Sequence, residues 1–161
     1  MPHPMNFTAV GAIALFSGYY FKDKRIAFFV PMVIMFLSDW KLGFYQWQLL
    51  ASVYFAFALV VLLGIAIKNK KWFWSLPMSL LGTISFFLIT NGAVWLFATW
   101  YPHTIAGLMT CYMEGIPFLR NAFAGDLTYT FIFFSAAQLA IVLANRFAIK
   151  DKEKIFAGGK I

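Results

Sequence analysis

The feature that most constrains the fold of this chain is a series of long apolar segments separated by short basic junctions. The apolar segments cover residues 7–21, 26–37, 46–67, 72–98 and 127–147. Of the 161 residues, 62% are hydrophobic, whereas soluble domains contain about 45–50% apolar residues. A soluble domain of this size could not cover 20 Phe and 6 Trp side chains, so they need lipid around them. The sequence therefore predicts a single integral membrane domain, residues 1–161, folded as an all-α helix bundle.

The basic residues predict the topology of this bundle. KDKR at 22–25 and KNKK at 68–71, which we call the basic junctions, and the tail from Arg146 contain every Lys and Arg except Lys41 and Arg120. Basic residues beside membrane helices favour the cytoplasmic side, so all three segments are expected on that side. This predicts a multi-pass bundle of about five spans with the N-terminus outside and the C-terminus in the cytoplasm.

One stretch, residues 100–126, is neither a clean apolar span nor a charged loop. Its Pro102, Gly107, Pro117 and Gly125 argue against one uninterrupted helix. We therefore expect an interfacial or half-entering segment, covered by protein or solvated by a watery cavity. If this stretch crossed the membrane instead, the bundle would have six helices and the tail would lie outside.

Polar and aromatic side chains concentrate on the outer side of the predicted bundle. Apolar walls with a few orienting polar groups are typical of small-molecule pockets. We expect a solute-binding pocket lined by Asn6, Asp39, Tyr45, Asn91, Trp95, Tyr101, His103, Cys111, Tyr112, Arg120, Asn121 and Asp126.

Asp126 has two interpretations that the sequence leaves open. Gly125 and Asp126 stand directly before the last apolar segment, so Asp126 could be the N-cap of that helix. It could also pair with Arg120 in a partly buried charge pair that holds Asn121 and Tyr112 toward the pocket.

Three other candidates also have an alternative role. Asp39 could bind solute or cap a turn among the lipid headgroups, and Asn91 could face a ligand or bond a neighbouring helix. Cys111 could act as a nucleophile or soft metal ligand with His103. A lone membrane cysteine is more typical of a small packing residue, so we predict no metal site.

Motifs for several other functions are absent from the sequence. It contains no G-x-x-x-x-G-K-[ST], G-x-S-x-G, H-E-x-x-H or C-x-x-C. We therefore predict a protein that is not an enzyme, binds no cofactor and has no ATPase of its own. The Lys residues lie in short loops beside the membrane, which favours contact with lipid and argues against nucleic acid as a partner.

Spaced motifs along nearly the whole chain carry a family resemblance. They are NFTAVGAIALF at 6–16, SDWKLGF at 38–44, Asn91 with Trp95, and then YP, AGL, CY, IPF, Asn121 and Gly125 with Asp126. These motifs resemble an uncharacterised family of small bacterial integral membrane proteins labelled as transport proteins. That family is more distantly similar to the S components of energy-coupling-factor vitamin transporters.

The resemblance implies a protein of the bacterial inner membrane that captures a vitamin- or cofactor-sized solute from the outer side. A separate ATPase and transmembrane module would then supply the energy. S components usually have six helices and dock through small residues of the first helix, to which Ala14 and Gly18 are similar. Short loops and small-residue helix faces also suit an alternative function, a structural or assembly subunit of a larger membrane complex.

Overall fold

The computed structural model describes residues 7–158 of the chain, and side chains from residue 7 to residue 149. Its α-helices are α1 (Val10–Tyr20), α2 (Lys24–Leu42), α3 (Trp47–Ala66), α4 (Ser75–Phe97) and α5 (Ile105–Gly158). A short 3₁₀ turn, Trp72–Trp74, leads into α4. This arrangement confirms the predicted all-α bundle.

The helices differ in their ability to cross a membrane. Within the described residues, three segments are long and apolar enough to do so: Trp47–Ala66, Trp72–Phe97 and Ile105–Ile149. Helix α1 has only 11 residues and is about 16 Å long, half of a hydrocarbon core of about 30 Å. Its first turn begins part-way along the bundle, beside Asp126 of α5.

Helix α1 is the central element of the bundle and contacts α2, α3, α4 and α5. Ala14 and Leu15 are fully buried in the core. The closest approach is to α3, where a Cβ added to Gly18 would lie 2.2 Å from the Val61 carbonyl oxygen. A Cβ added to Gly64 would lie 2.3 Å from the Leu15 carbonyl oxygen. The face of α1 that carries Ala14 and Gly18 is therefore packed against α3 of the same chain.

The two basic junctions lie at the same end of the bundle. The Tyr19 hydroxyl at the end of α1 donates to the Lys70 carbonyl oxygen over 2.7 Å. The neighbouring Tyr20 hydroxyl accepts from Gln138 Nε2 of α5 over 3.0 Å, and α5 then continues toward Arg146. All three basic segments are thus at one end, as the topology argument requires.

Residues 105–126 form one uninterrupted helix, so the break predicted for residues 100–126 is wrong beyond Thr104. Helix α5 begins at Ile105 and continues through Pro117 and Gly125. A Cβ on Gly125 would lie 3.1 Å from the Thr8 backbone nitrogen, so this glycine allows α1 and α5 to pack closely. Glycine at this position therefore serves helix packing and not a turn.

Candidate functional site

A cavity of about 270 Å³ lies between α1, α3, α4 and α5. Its walls are mainly apolar, and its aromatic lining consists of Phe57, Phe86, Phe87 and Phe118. The polar side chains that line it are Thr8, Ser79, Thr83, Thr90, Asn91 and Asp126. The combination of aromatic walls and a few polar groups is typical of small-molecule sites.

Helices α4 and α5 contact each other at two points along the cavity. A Cβ on Gly115 would lie 2.7 Å from Asn91 Oδ1, and Thr83 Oγ1 donates to Asp126 Oδ2 over 2.6 Å. Between these points α5 runs from 115 to 126, whereas α4 runs only from 91 to 83. The longer path of α5 contains Pro117, which has no backbone N–H and disturbs the helical ladder.

Asp126 joins α5 to the beginning of α1. Its carboxylate accepts hydrogen bonds from the Thr83 hydroxyl and from the backbone N–H of Ala12, the third residue of α1. The residue before α1, Ala9, makes no side-chain cap. The first N–H groups of a helix lack intrahelical partners and favour a negative charge. Asp126 therefore supplies from α5 the cap that α1 lacks.

Gly11 shows how closely the carboxylate approaches α1. A Cβ at this position would lie 2.4 Å from Asp126 Oδ1 and 2.9 Å from Asp126 Cγ. Any other residue would displace the carboxylate or the first turn of α1. Gly11 is thus a site residue that the sequence analysis missed.

A row of hydroxyl groups leads along α4 toward Asp126. Ser75, Ser79 and Thr83 are four residues apart, so they share one face of the helix, and all three are buried. Thr130 of α5 donates to Ser79 Oγ over 3.2 Å. Ser75 Oγ is buried without a hydrogen-bond partner in the described part of the chain. These residues were also missed, although their spacing of four in an apolar segment was a usable signal.

Cys111 and Tyr112 attach α5 to α4 beside the cavity. The Cys111 thiol approaches the Asn91 carbonyl oxygen at 3.4 Å, and the Tyr112 hydroxyl donates to the Leu88 carbonyl oxygen over 2.8 Å. Cys111 is buried. Both side chains contact the backbone of α4, so they position the two helices that enclose the cavity.

A second cluster of predicted residues lies at the turn between α4 and α5. Trp95 Nε1 donates to the Pro102 carbonyl oxygen over 3.1 Å, and the Trp95 and His103 rings meet edge to face with centroids 5.7 Å apart. The Tyr101 hydroxyl donates to Glu114 Oε2 over 2.6 Å. This hydrogen bond to the carboxylate raises the pKa of Tyr101 to about 12.

A third cluster lies between α2 and α3, away from the cavity. Asp39, only 6% exposed, accepts a hydrogen bond of 2.9 Å from the Tyr54 hydroxyl. Partial burial and the charge of Asp39 raise the pKa of Tyr45 in the neighbouring loop. Asp39 therefore holds α2 to α3. The two predicted residues of this cluster, Asp39 and Tyr45, do not line the cavity.

One comparison with known proteins places the chain in a family. The model of a family described as a family of unknown function, DUF6580, matches residues 1–149. The chain belongs to this family. No curated protein and no solved structure matches it. The DUF6580 match extends over every residue that lines the cavity and over both smaller clusters.

Several sequence predictions about this DUF6580 protein need correction. Asp126 is not the N-cap of its own helix, because it lies inside α5. The pair with Arg120 is also wrong: residues six apart in a helix point about 120° apart, and the Arg120 side chain is exposed. Asn121 is half-buried on α5 and is not part of the cavity lining. Asn6 lies outside the described residues.

The cavity thus brings together Asn91 and Asp126 from the predicted set, and adds the hydroxyl groups of α4. The described residues contain no group of three or more His, Cys, Asp or Glu side chains that could hold a metal ion. The lining offers one carboxylate, one amide and several hydroxyl groups beside aromatic rings. Such a site can orient a small molecule by hydrogen bonds and charge.

Proposed function

We propose that this protein is a membrane transport protein that binds a small solute in the cavity between α1, α3, α4 and α5. The observation that carries the proposal is Asp126, a carboxylate that faces a cavity of about 270 Å³ inside an apolar bundle. Ionisable groups within membrane helices are costly, and they mark solute and ion pathways.

The start of α1 inside the bundle supports the same proposal. Transporters of several folds bind their substrates where a helix begins or breaks near the middle of the membrane. Helix α1 begins at Val10 beside Asp126, and Thr8 and Gly11 line the cavity. The cavity volume lies just below the roughly 300–1,000 Å³ of typical small-molecule pockets. We therefore propose a solute at the small end of the vitamin and cofactor range.

For orientation we propose the bacterial inner membrane, with the basic end of the bundle in the cytoplasm and solute entering from the other side. The grouping of the basic segments at one end supports this. In a Cys111→Ala background, single cysteines at positions 23 and 69 should react only from the cytoplasm, and those at 41 and 103 only from outside. Reaction of positions 23 and 69 from outside would show that the orientation of the bundle is the reverse of the one proposed.

For the energy source we propose a separate ATPase and transmembrane module, as the similarity to S components implies. The chain itself has no P-loop motif that could bind ATP. Because Ala14 is buried and Gly18 packs against α3 of the same chain, such a module would bind another face of the bundle. Purification from the native membrane should recover an ATPase with the protein, and recovery of the protein alone under mild conditions would contradict this part.

Solute binding can be tested with a matched pair of alanine variants on α5. Ala122 lines the cavity, whereas Ala124 is exposed on the outside of the bundle. Native mass spectrometry of gently purified protein should detect a bound small molecule in the wild type and in Ala124→Leu. Ala122→Leu fills the cavity and should lose it. If no bound molecule is found, and a panel of vitamins and cofactors gives no thermal stabilisation, the proposed function is wrong.

A second candidate function is a structural or assembly subunit of a larger membrane complex. The last part of α5 favours it, because residues 139–149 are all exposed although several of them are large and apolar. This candidate expects stable co-purification with larger proteins and no solute. Crosslinking that recovers only copies of this chain would count against it.

A further inference from the structure

We infer that the solute is a small organic cation whose ammonium group binds beside Asp126. This inference rests on the proposed function and specifies its substrate class. Among the described residues that line the cavity, Asp126 is the one with an ionisable side chain. The described part of the lining contains no Lys, Arg or His that could offset its charge for an anionic solute.

The hydrogen bonds of Asp126 leave it able to bind a further donor. A carboxylate has about four lone-pair sites, and the Thr83 hydroxyl and the Ala12 N–H fill two of them. Charge attraction is strong where the surroundings are apolar, because the local dielectric is low. The same field opposes a solute carboxylate or phosphate at this position.

The polar groups at the other end of the cavity also present acceptors. Thr90 Oγ1 donates its proton to the Phe86 carbonyl oxygen over 2.9 Å. Asn91 Nδ2 donates to the Phe87 carbonyl oxygen over 2.9 Å. The Thr90 oxygen and Asn91 Oδ1 can therefore accept hydrogen bonds from a solute, beside the second N–H of the Asn91 amide, which can donate one. Both polar ends of the cavity therefore suit N–H or O–H groups of the solute.

The aromatic walls select an organic cation over a bare metal ion. The Phe57 and Phe86 rings lie with their centroids 4.9 Å apart, and Phe87 and Phe118 also line the cavity. The faces of aromatic rings attract ammonium groups, most strongly where water is excluded. A hydrated metal ion would gain less from these walls, since it prefers several oxygen ligands.

The inference can be tested with probes that differ mainly in charge. Choline and its neutral carbon isostere, 3,3-dimethylbutan-1-ol, form one pair, and phenethylammonium, 2-phenylethanol and phenylacetate form a second set. Binding to the purified full chain in detergent is measured by calorimetry and by thermal shift. The cation of each set should bind at least about tenfold more tightly than its neutral isostere, and phenylacetate should not bind.

Two matched pairs of variants locate the effect. Asp126→Asn should remove the preference for the cation, whereas Glu114→Gln, which alters a carboxylate outside the cavity on the same helix, should keep it. If Asp126→Asn does not fold, the pair Ala122→Leu and Ala124→Leu tests whether the cations bind in the cavity. The first should weaken choline and phenethylammonium at least about tenfold, and the second should leave both unchanged.

Each other outcome contradicts the inference. Equal binding of cation and neutral isostere, binding of phenylacetate, stabilisation by sodium or potassium chloride alone, or no binding of either cation would overturn it. The proposed function is judged separately by native mass spectrometry. An uncharged bound molecule that Ala122→Leu displaces would leave the transport proposal standing and show that the cation assignment is wrong.

Discussion

The part of helix α5 whose side chains the structure describes carries two carboxylates, Glu114 and Asp126. They accept hydroxyl hydrogen bonds of the same length in very different surroundings. Tyr101 donates to Glu114 over 2.6 Å at an exposed turn, and Thr83 donates to Asp126 over 2.6 Å between the helices of the bundle. At the turn, water can replace either partner. Asp126 is half-buried among the mainly apolar walls of the cavity, so the same kind of bond has a larger structural role there.

The two carboxylates also differ in the further groups to which they are hydrogen-bonded. Glu114 fixes one side chain of the α4–α5 turn, whereas Asp126 also satisfies the first turn of α1 through Ala12. A helix that begins inside an apolar bundle needs a partner for its N–H groups, because lipid offers none. We therefore regard Asp126 as the residue that allows α1 to begin beside the cavity.

The largest effect is expected from removing the Asp126 carboxylate. Asp126→Ala leaves the Ala12 N–H without this acceptor and leaves the Thr83 hydroxyl only the Ser79 carbonyl oxygen of its own helix, 3.0 Å away. The loss of two hydrogen bonds to a carboxylate should lower the free energy of unfolding by about 2–4 kcal/mol. The exposed counterpart Glu114→Ala should cost less than about 1 kcal/mol. Equilibrium unfolding in detergent micelles measures both values. Equal losses would remove the distinction between the two sites.

A middle effect is expected at Asp39, which is more buried than the half-buried Asp126 but is held by a single side-chain donor that the structure describes, Tyr54. Tyr54→Phe removes this donor with little change of volume, and should lower the free energy of unfolding by about 1–3 kcal/mol. Tyr101→Phe, which removes the donor to the exposed Glu114, is the matched control and should cost less. If Tyr101→Phe destabilises the protein more than Tyr54→Phe does, burial does not determine the cost of losing the donor.

The smallest effect is expected on the ionisation of Tyr101. Its pKa is raised to about 12 by the hydrogen bond to Glu114, compared with about 10 for a free tyrosine. Since the folded state favours the neutral phenol, this contribution to stability is complete below about pH 10 and is lost as the pH rises through about 12. Glu114→Gln should bring the pKa back toward about 10.

Ultraviolet titration of the phenolate measures this change, with Tyr101→Phe to assign the signal among the seven tyrosines. An unchanged titration curve in Glu114→Gln would mean that the two side chains are not paired in solution.

The order of the helices and the shared end of the basic segments could be predicted because both depend on local composition. A run of apolar residues gives the length of a segment, and basic residues mark its ends. The continuity of α5 could not be predicted in this way. Pro117 and Gly125 disfavour a helix in isolation, but packing of α5 against α4 and α1 outweighs this preference.

The site could be predicted only in part for a similar reason. Asn91 and Asp126 are conspicuous as polar residues in apolar surroundings, and both line the cavity. The partner of Asp126 is 43 residues away at Thr83, and the end of α1 that it caps is more distant still. Such pairings depend on how the helices pack, which no spacing within one segment reveals.

The most direct test of the account is whether the Asp126 carboxylate lies against Gly11. Four proteins are compared by unfolding in detergent: wild type, Gly11→Ala, Asp126→Ala and the double variant. Because the added Cβ would lie 2.4 Å from Asp126 Oδ1, Gly11→Ala should destabilise the wild type. In the Asp126→Ala background it should cost little, giving a coupling of about 1–3 kcal/mol. If Gly11→Ala costs the same in both backgrounds, the carboxylate does not meet the first turn of α1 and the site is wrong.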